Sequence, residues 1–432
     1  MNASDYKARL EGNNPRSKAN FHLPAIPMYD QLTKQLWDAL QGDTVWAIME
    51  ALGVDKYDDQ ELRARMEGRS LKVTPKVMPH LFELLNQVKE SLKFEHPVDF
   101  FVVSDVSLNA GAYVYHPKNP ESPFMVEINS AMIETMTEPE LKSVVGHELG
   151  HLLDENLILD DLIRFIFPEH DMYGMPVLPI PLRYKFFFWK QLSELFADRY
   201  GYLATNDIQA CIWSEMKLKC GLKLDKMDAN LSAFIEENRE TLQHYISGTA
   251  LSLSHGFTHP VSPIRIEALN LFANAKTEQE LNEGMDKLVN AISRLNMNPI
   301  EDDMLIFMAS AGLLMASADG TVTEKEYEQI LNNMSNFYMF PVDILKQVTQ
   351  ENCSELFNQS VANILKENPQ YAPELFGYLV NILVSDQSFD KKELDLLFQM
   401  GHQAMGLDEE TMLKLLAGGI QHFFIPSIGS IS

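Results

Sequence analysis

The stretch Val144-Val145-Gly146-His147-Glu148-Leu149-Gly150-His151-Leu152-Leu153-Asp154 decides how this chain is read. On an α-helix, positions i and i+4 stand about 40° apart around the axis and one turn along it. His147 and His151 therefore aim two imidazoles at one point, as two ligands of a tetrahedral zinc must. Glu148 sits beside the first of them, where a carboxylate reaches a metal-bound water without ligating the metal. Val144, Val145, Leu149, Leu152 and Leu153 cover the remaining faces, so the helix is expected to be buried. The alternative is a buried helix whose histidines are satisfied by hydrogen bonds, because H-E-x-x-H also arises by chance.

Working outward toward the N-terminus, Thr137 heads this helix, with Glu140 three residues on and Pro139 in the first turn, the spacing of a capping box. Three strand-like segments precede it: Val98–Val103, Asn109–Tyr115 and Phe124–Ile128, the last two separated by the turn-rich 116–123. A helix is expected from about Met78 to Phe94, entered through Pro75 and Pro79 and left at Pro97. Residues 1–70 read as a polar leader followed by short helices, with Leu32, Leu36, Trp37 and Leu40 at helical spacing.

Toward the C-terminus, a connection rich in proline and aromatics (Pro168, Pro176, Pro179, Pro181, Phe186 to Trp189) leads to a strong helix near Trp189 to Leu203. It carries Glu194 and Asp198 in an E-x-x-x-D spacing. Alone, without H-E-x-x-H upstream, these acids would read as a solvated helix face with Glu–Arg pairs. Thr258-His259-Pro260 follows, then Pro263 and Arg265-Ile266.

In that order, H-E-x-x-H, E-x-x-x-D, T-H-P and R-I resemble the family of the HtpX heat-shock peptidases and CAAX prenyl proteases, over roughly residues 75–275. Gly146, Gly150, Asn109-Ala110 and Asp198-Arg199 resemble its pattern as well. The resemblance implies a mainly helical α+β fold, a zincin-like metallopeptidase domain of the gluzincin type with a small sheet. It implies one zinc per chain held by His147, His151 and Glu194, with Asp198 hydrogen-bonding a ligating imidazole, His147. Glu148 is then the general base of a zinc endopeptidase, acting on a zinc-bound water. Asn109 and Ala110 would lie on an edge strand that binds substrate by backbone pairing, or on a plain structural strand. His259 would lie near the metal as a transition-state donor; the alternative is that it caps the following helix, with Pro263 in the first turn. Members of this family carry membrane helices, whereas the matching connection here holds Pro, Asp, Glu and Arg and cannot span a bilayer.

From about Pro299 a separate all-helical region begins. Ala318–Glu326 aligns with Ser385–Glu393, each with Asp seven residues before Glu and each opening a helix. This resembles the TerB-like tellurite-resistance domain, although Gln387 stands where the first copy has Gly320. Thr323 with Glu326, and Asp390 with Glu393, also read as capping boxes, and the loop lacks the D-x-D-x-D-G run of an EF-hand. The expected organisation is an N-terminal helical extension (1–70), a metallopeptidase domain (71–290) and a TerB-like domain (299–425).

Composition sets the outer limits. A chain of 432 residues with 46% hydrophobic residues can bury two or three cores. A formal net charge of −26 argues against nucleic acid and anionic membrane surfaces as partners. Cys211, Cys220 and Cys353 are scattered and odd in number, which fits a reducing compartment and no cysteine metal site. The 22 methionines are spread widely, as core filler is. The beginning lacks an apolar signal and no run reaches the ~18–20 residues of a membrane span, so a cytoplasmic protein is expected. The partners expected are a peptide or protein substrate and a protein bound by the C-terminal domain, with no nucleic acid and no integral membrane segment. The competing reading is a catalytically weak module that binds a peptide or partner, with the C-terminal domain as scaffold.

Overall fold

The computed structural model describes residues 23–424, apart from 53–58, 114–122, 155–157, 171–174, 179, 224–227, 248–257, 296–298, 319, 321, 323, 336–340, 351 and 385–390. The chain forms two compact units, the first holding most residues up to Leu295 and the second the helices from Pro299 onward.

The first unit begins with α1 (Tyr29–Ala39), α2 (Gly42–Leu52) and α3 (Asp59–Arg69), followed by β1 (Leu71–Lys72) and α4 (Pro79–Ser91). Next come β2 (Val98–Val103), β3 (Ala110–Tyr113), β4 (Phe124–Asn129), the short α5 (Ser130–Thr135) and the motif helix α6 (Glu138–Leu153). Helices α7 (Ile158–Ile166), α8 (Ile180–Thr205), α9 (Ile208–Cys220), α10 (Leu231–Ile246), α11 (Ser262–Asn274) and α12 (Glu278–Leu295) follow.

The sheet order is β1-β2-β4-β3, with β2 parallel to β4 and both outer pairs antiparallel. Strand β3 is thus an edge, registered Ala110 to Ile128 and Tyr113 to Met125. Phe100, Val126 and Ile128 of the sheet join Leu85 and Val88 of α4 and Val145, Leu149 and Leu152 of α6 in one apolar core. The near-continuous apolar run of β4 follows from its central position between two strands.

Two departures from the sequence expectations have physical causes. The motif helix partner α8 starts at Ile180 rather than near Trp189. Pro181 is its second residue, where a missing N–H breaks no helical bond, so the proline opens the helix instead of delaying it. The run Phe186, Phe187, Phe188 and Trp189 is then a buried part of that helix and not of a connection. Strand β3 is described only as far as Tyr113; Val114 and Tyr115 lie outside the described residues.

Helix α1 packs within the first unit. The indole of Trp189 donates to Thr33 Oγ1 at 3.0 Å, the Tyr29 ring stacks on Trp189 at 6.3 Å, and the Tyr29 hydroxyl donates to the buried Asp154 carboxylate. Ser193, beside Glu194 on α8, donates to the same Asp154 oxygen at 3.0 Å.

The second unit is all-helical: α13 (Pro299–Ala316), α14 (Glu324–Ser335), α15 (Pro341–Gln350), α16 (Cys353–Glu367), α17 (Ala372–Val384), α18 (Lys391–Gln403) and α19 (Glu409–Phe424). Its core is apolar, with Phe376, Leu379, Leu383 and Val384 of α17 buried alongside Phe307 and Ala311 of α13. The repeat loops fall partly on Asp319, Thr321, Thr323 and 385–390, outside the described residues; Thr323 and Asp390, which head the two expected capping boxes, are among these. The three cysteines are free thiols.

Candidate metal centre

Helix α6 is set at its start and pressed against α8 along its length. Glu140 accepts from the Thr137 N–H at 2.6 Å, and its carboxylate also receives the Lys217 ammonium of α9 at 2.6 Å. Lys217 donates to the Thr135 carbonyl as well, at 3.1 Å, and the ion pair has side chains only 0% and 4% exposed. Gly146 of α6 and Gly201 of α8 let the two helices approach closely. A Cβ on Gly146 would stand 2.5 Å from Ala204 Cβ, and one on Gly201 would stand 2.8 Å from the Ser143 carbonyl oxygen. Only glycine lets the two backbones come so near, and that proximity carries the histidines of α6 to the acids of α8.

The meeting point is compact. His147 Nε2 lies 3.1 Å from His151 Nε2 and 3.3 Å from Glu194 Oε2, and His151 Nε2 lies 3.5 Å from Glu194 Oε1. Ligands about 2.0–2.1 Å from a tetrahedral zinc are separated from one another by about 3.3 Å, so the three donors have the spacing of a metal site. Among the described residues, His147, His151 and Glu194 form a cluster able to hold a metal ion. Glu194 Oε2 is buried with no hydrogen-bond partner, an orphaned acceptor turned toward two imidazoles. Such an atom is costly unless a cation answers it. The residues present therefore fit a divalent metal.

The surrounding charges agree. Burial would lower the His147 pKa, but the hydrogen bond to Asp198 and the nearby Glu194 carboxylate raise it to about 10. Burial takes His151 down to about 3, against the pull of Glu194. Burial alone would raise Glu194, yet His151, His147 and His259 hold its carboxyl well below the ordinary range. The cluster is built to carry positive charge at its centre, which a metal supplies by displacing the imidazole proton.

Asp198, one turn beyond Glu194, accepts from His147 Nδ1 at 2.9 Å and thereby leaves Nε2 as the ligating nitrogen. Its other partner is Arg265 of α11, whose Nη2 and Nε donate to its two oxygens at 2.5 and 2.9 Å. Arg265 Nη1 in turn lies 3.2 Å from Glu215 of α9, and Ser262 donates to Glu215. This chain of groups ties three helices to one imidazole. Arg265 was visible in the sequence only as part of R-I, without a role; Glu215 gave no signal, since a single acid within a helix is commonplace. Glu194 and Asp198 are 6% and 7% exposed, so neither lies on a solvated face.

Glu148 is buried beside the cluster, and the Ala112 N–H of β3 donates to its carboxylate. Burial pushes its pKa up to about 7, with His147 opposing. Asn109 and Ala110 line the same cleft of about 550 Å³, in which His147, Glu148, His151 and His259 also appear. His259 Nε2 lies 3.3 Å from Glu194 Oε2, while its Nδ1 is 2.9 Å from the Thr258 hydroxyl. Its side chain is 60% exposed, and the residue at the N-cap of α11 is Val261, not His259. Of the residues singled out from the sequence, Asn109, Ala110, His147, Glu148, His151, Asp198 and His259 line the cleft, and Glu194 lies behind the histidines within 3.5 Å of them.

Among the described residues no helix is long and apolar enough to cross a membrane. No solved structure matches the chain. A curated relative, the plastoglobule-localized metallopeptidase 48, chloroplastic, of Arabidopsis thaliana, is 27% identical over 175 residues, 40% of this chain and 49% of that protein. The chain thus spans about half the length of the curated relative it matches. Residues 75–178, which contain the sheet strands β2 to β4 and all of α6 but not α8 or α11, match the model of peptidase family M48.

Proposed function

We propose that the first unit is a zinc-dependent endopeptidase, with His147, His151 and Glu194 holding the metal. The observation that carries this reading is the cluster of three donors about a buried, unpartnered Glu194 oxygen. The similarity to peptidase family M48 supports metallopeptidase activity, and zinc is the metal that family implies.

When bound, zinc polarises the scissile carbonyl and acidifies water. The chain's own groups do the rest. Glu148, held by the Ala112 amide and poised near neutrality, accepts the proton of the attacking water and returns it to the leaving amine. Asp198 fixes the His147 ring, and Arg265 keeps Asp198 ionised and in place. The exposed edge β3, including Ala110, offers backbone groups on which an extended peptide lies, with Asn109 at its start. His259, which lines the cleft with Nε2 3.3 Å from Glu194 Oε2 and Nδ1 2.9 Å from the Thr258 hydroxyl, serves as donor to the developing oxyanion. The substrate is therefore a peptide or an extended segment of a protein. We propose the second unit as a TerB-like module that recruits a protein partner, and the cytoplasm as the location.

The test is metal content. Purified protein is expected to hold about one zinc per chain, and Glu194→Ala to lose most of it while staying folded by circular dichroism. Full zinc occupancy in a folded Glu194→Ala protein would remove Glu194 from the ligand set and with it this reading.

A further inference from the structure

The catalytic cleft does not end at the metal centre. Beyond the histidines part of its wall is apolar, formed by Leu108, Met132, Val144, Leu218 and Leu269, with Ser214, Glu215 and Arg265 as polar members. Lys219, the penultimate residue of α9, lines this cleft and also a second hollow of about 370 Å³. That hollow is mostly apolar, with Met216, Leu222 and Phe234 on its walls and Asp228 as its acid. The two depressions therefore share Lys219 as a common wall.

The cations around Lys219 are already committed. Lys217 is paired with Glu140, Arg265 with Asp198 and Glu215, and Lys223 with Glu134 at 3.4 Å. Glu215, the nearest acid along α9, has both oxygens engaged, one by Ser262 and the other by Arg265. Lys219 makes no ion pair or hydrogen bond with the described residues, Asp228 included. Lys219 is exposed at the rim the two depressions share, where partial burial and Arg265 lower its pKa and Glu215 opposes. A cation with no ion-pair partner among the described residues, at the junction of two partly apolar depressions in a chain of net charge −26, is a place for a carboxylate brought by a ligand.

We propose that Lys219 is a specificity-determining residue that selects peptides carrying an acidic side chain close to the scissile bond, followed by an apolar residue seated in the hollow of Met216, Leu222 and Phe234. This rests on the peptidase reading and names the substrate class of the same site. The apolar cleft wall takes the side chain next to the scissile bond, the Lys219 ammonium takes the carboxylate, and Asp228 excludes a second acid from the far hollow. An ion pair of this partly exposed kind gives about a five-fold preference.

The test uses full-length protein loaded with zinc. Binding is read by fluorescence anisotropy on the Glu148→Gln variant, with labelled peptides that differ only by Glu, Gln or Lys at one position and carry Leu after it; that position is moved stepwise along the peptide. The proposal expects Glu over Gln by about five-fold at one position, loss of that ratio when Lys219→Met is added, and preference for Lys when Lys219→Glu is added. Equal ratios in all three backgrounds, or no binding of any peptide, would overturn it. Hydrolysis of the same peptides is then followed in protein that retains Glu148. Lys219-dependent binding without hydrolysis retires the peptidase reading and leaves the subsite standing; hydrolysis indifferent to the Lys219 substitutions does the opposite.

Discussion

Two sets of carboxylates in this chain are pushed in opposite directions. In the first unit burial would raise Asp198 and Glu194, but Arg265 answers one and the imidazoles answer the other, so both stay ionised deep inside the protein. In the second unit Asp302, in the first turn of α13, is raised to about 6 by partial burial, with Asp303 and Glu301 adding to the repulsion. Position in a helix end is not what separates them. The first set has a cation supplied for each acid from another helix, whereas Asp302 has the like charges of Asp303 and Glu301 beside it. A buried acid with dedicated partners marks a place organised around charge; a crowded acid without them is a solvated helix start that burial has made slightly awkward.

The comparison is broken most severely by removing a partner. Lys217→Ala would leave Glu140 buried and unanswered at the head of α6, and unfolding by urea should show a loss of about 3–5 kcal/mol. A loss under about 1 kcal/mol would mean that water or rearrangement replaces the ammonium easily, and that this part of the first unit is no more organised around charge than α13 is.

A middle-sized effect is expected one step out from the metal. Asp198→Asn keeps the shape but weakens the hold on the His147 Nδ1–H and leaves Arg265 with Glu215 alone. Zinc affinity, measured by competition with a chromogenic chelator, should fall about 10- to 100-fold. Unchanged affinity would reduce the Asp198–Arg265–Glu215 chain to scaffolding.

The smallest effect lies in the second unit and sharpens the contrast by its sign. Asp302 has a folded pKa of about 6 against an ordinary 3.8, so the folded chain holds the extra proton between those values. Stability from this group therefore falls as the pH rises from about 4 to about 6 and stays lower above that. Asp302→Asn should stabilise the protein at pH 7 and not at pH 4, by less than about 1 kcal/mol because solvent screens this partly exposed group. Destabilisation at pH 7 would show that Asp302 has a favourable partner after all.

How far the sequence could be read follows the same division. Helix α6, its Thr137–Glu140 start and the strands β2 to β4 were legible because each is declared by local pattern: capping spacing, helical periodicity, β-branched and aromatic runs. His147 and His151 were legible as a pair because helix geometry fixes their spacing, whereas Glu194 and Asp198 could be read only from their order after H-E-x-x-H and the resemblance it carries. The early start of α8 was hidden, because Pro181 signals both the end of a connection and the first turn of a helix. The reasons for Gly146 and Gly201 were hidden too, since the atoms they must clear belong to a distant helix. Arg265, Glu215 and the Tyr29–Asp154–Ser193 bonds are long-range pairings between common residues, and no local spacing announces them. The support of the site, more than its centre, had to come from three dimensions.

The central claim is that Glu148 moves a proton at a zinc site and does not merely furnish a polar wall. The most direct measurement compares wild-type protein with Glu148→Gln for zinc content and for hydrolysis of a quenched peptide library. The account predicts about one zinc per chain in both and turnover in the variant lower by about 10²-fold or more. Hydrolysis by Glu148→Gln at the wild-type rate, with zinc retained, would contradict it.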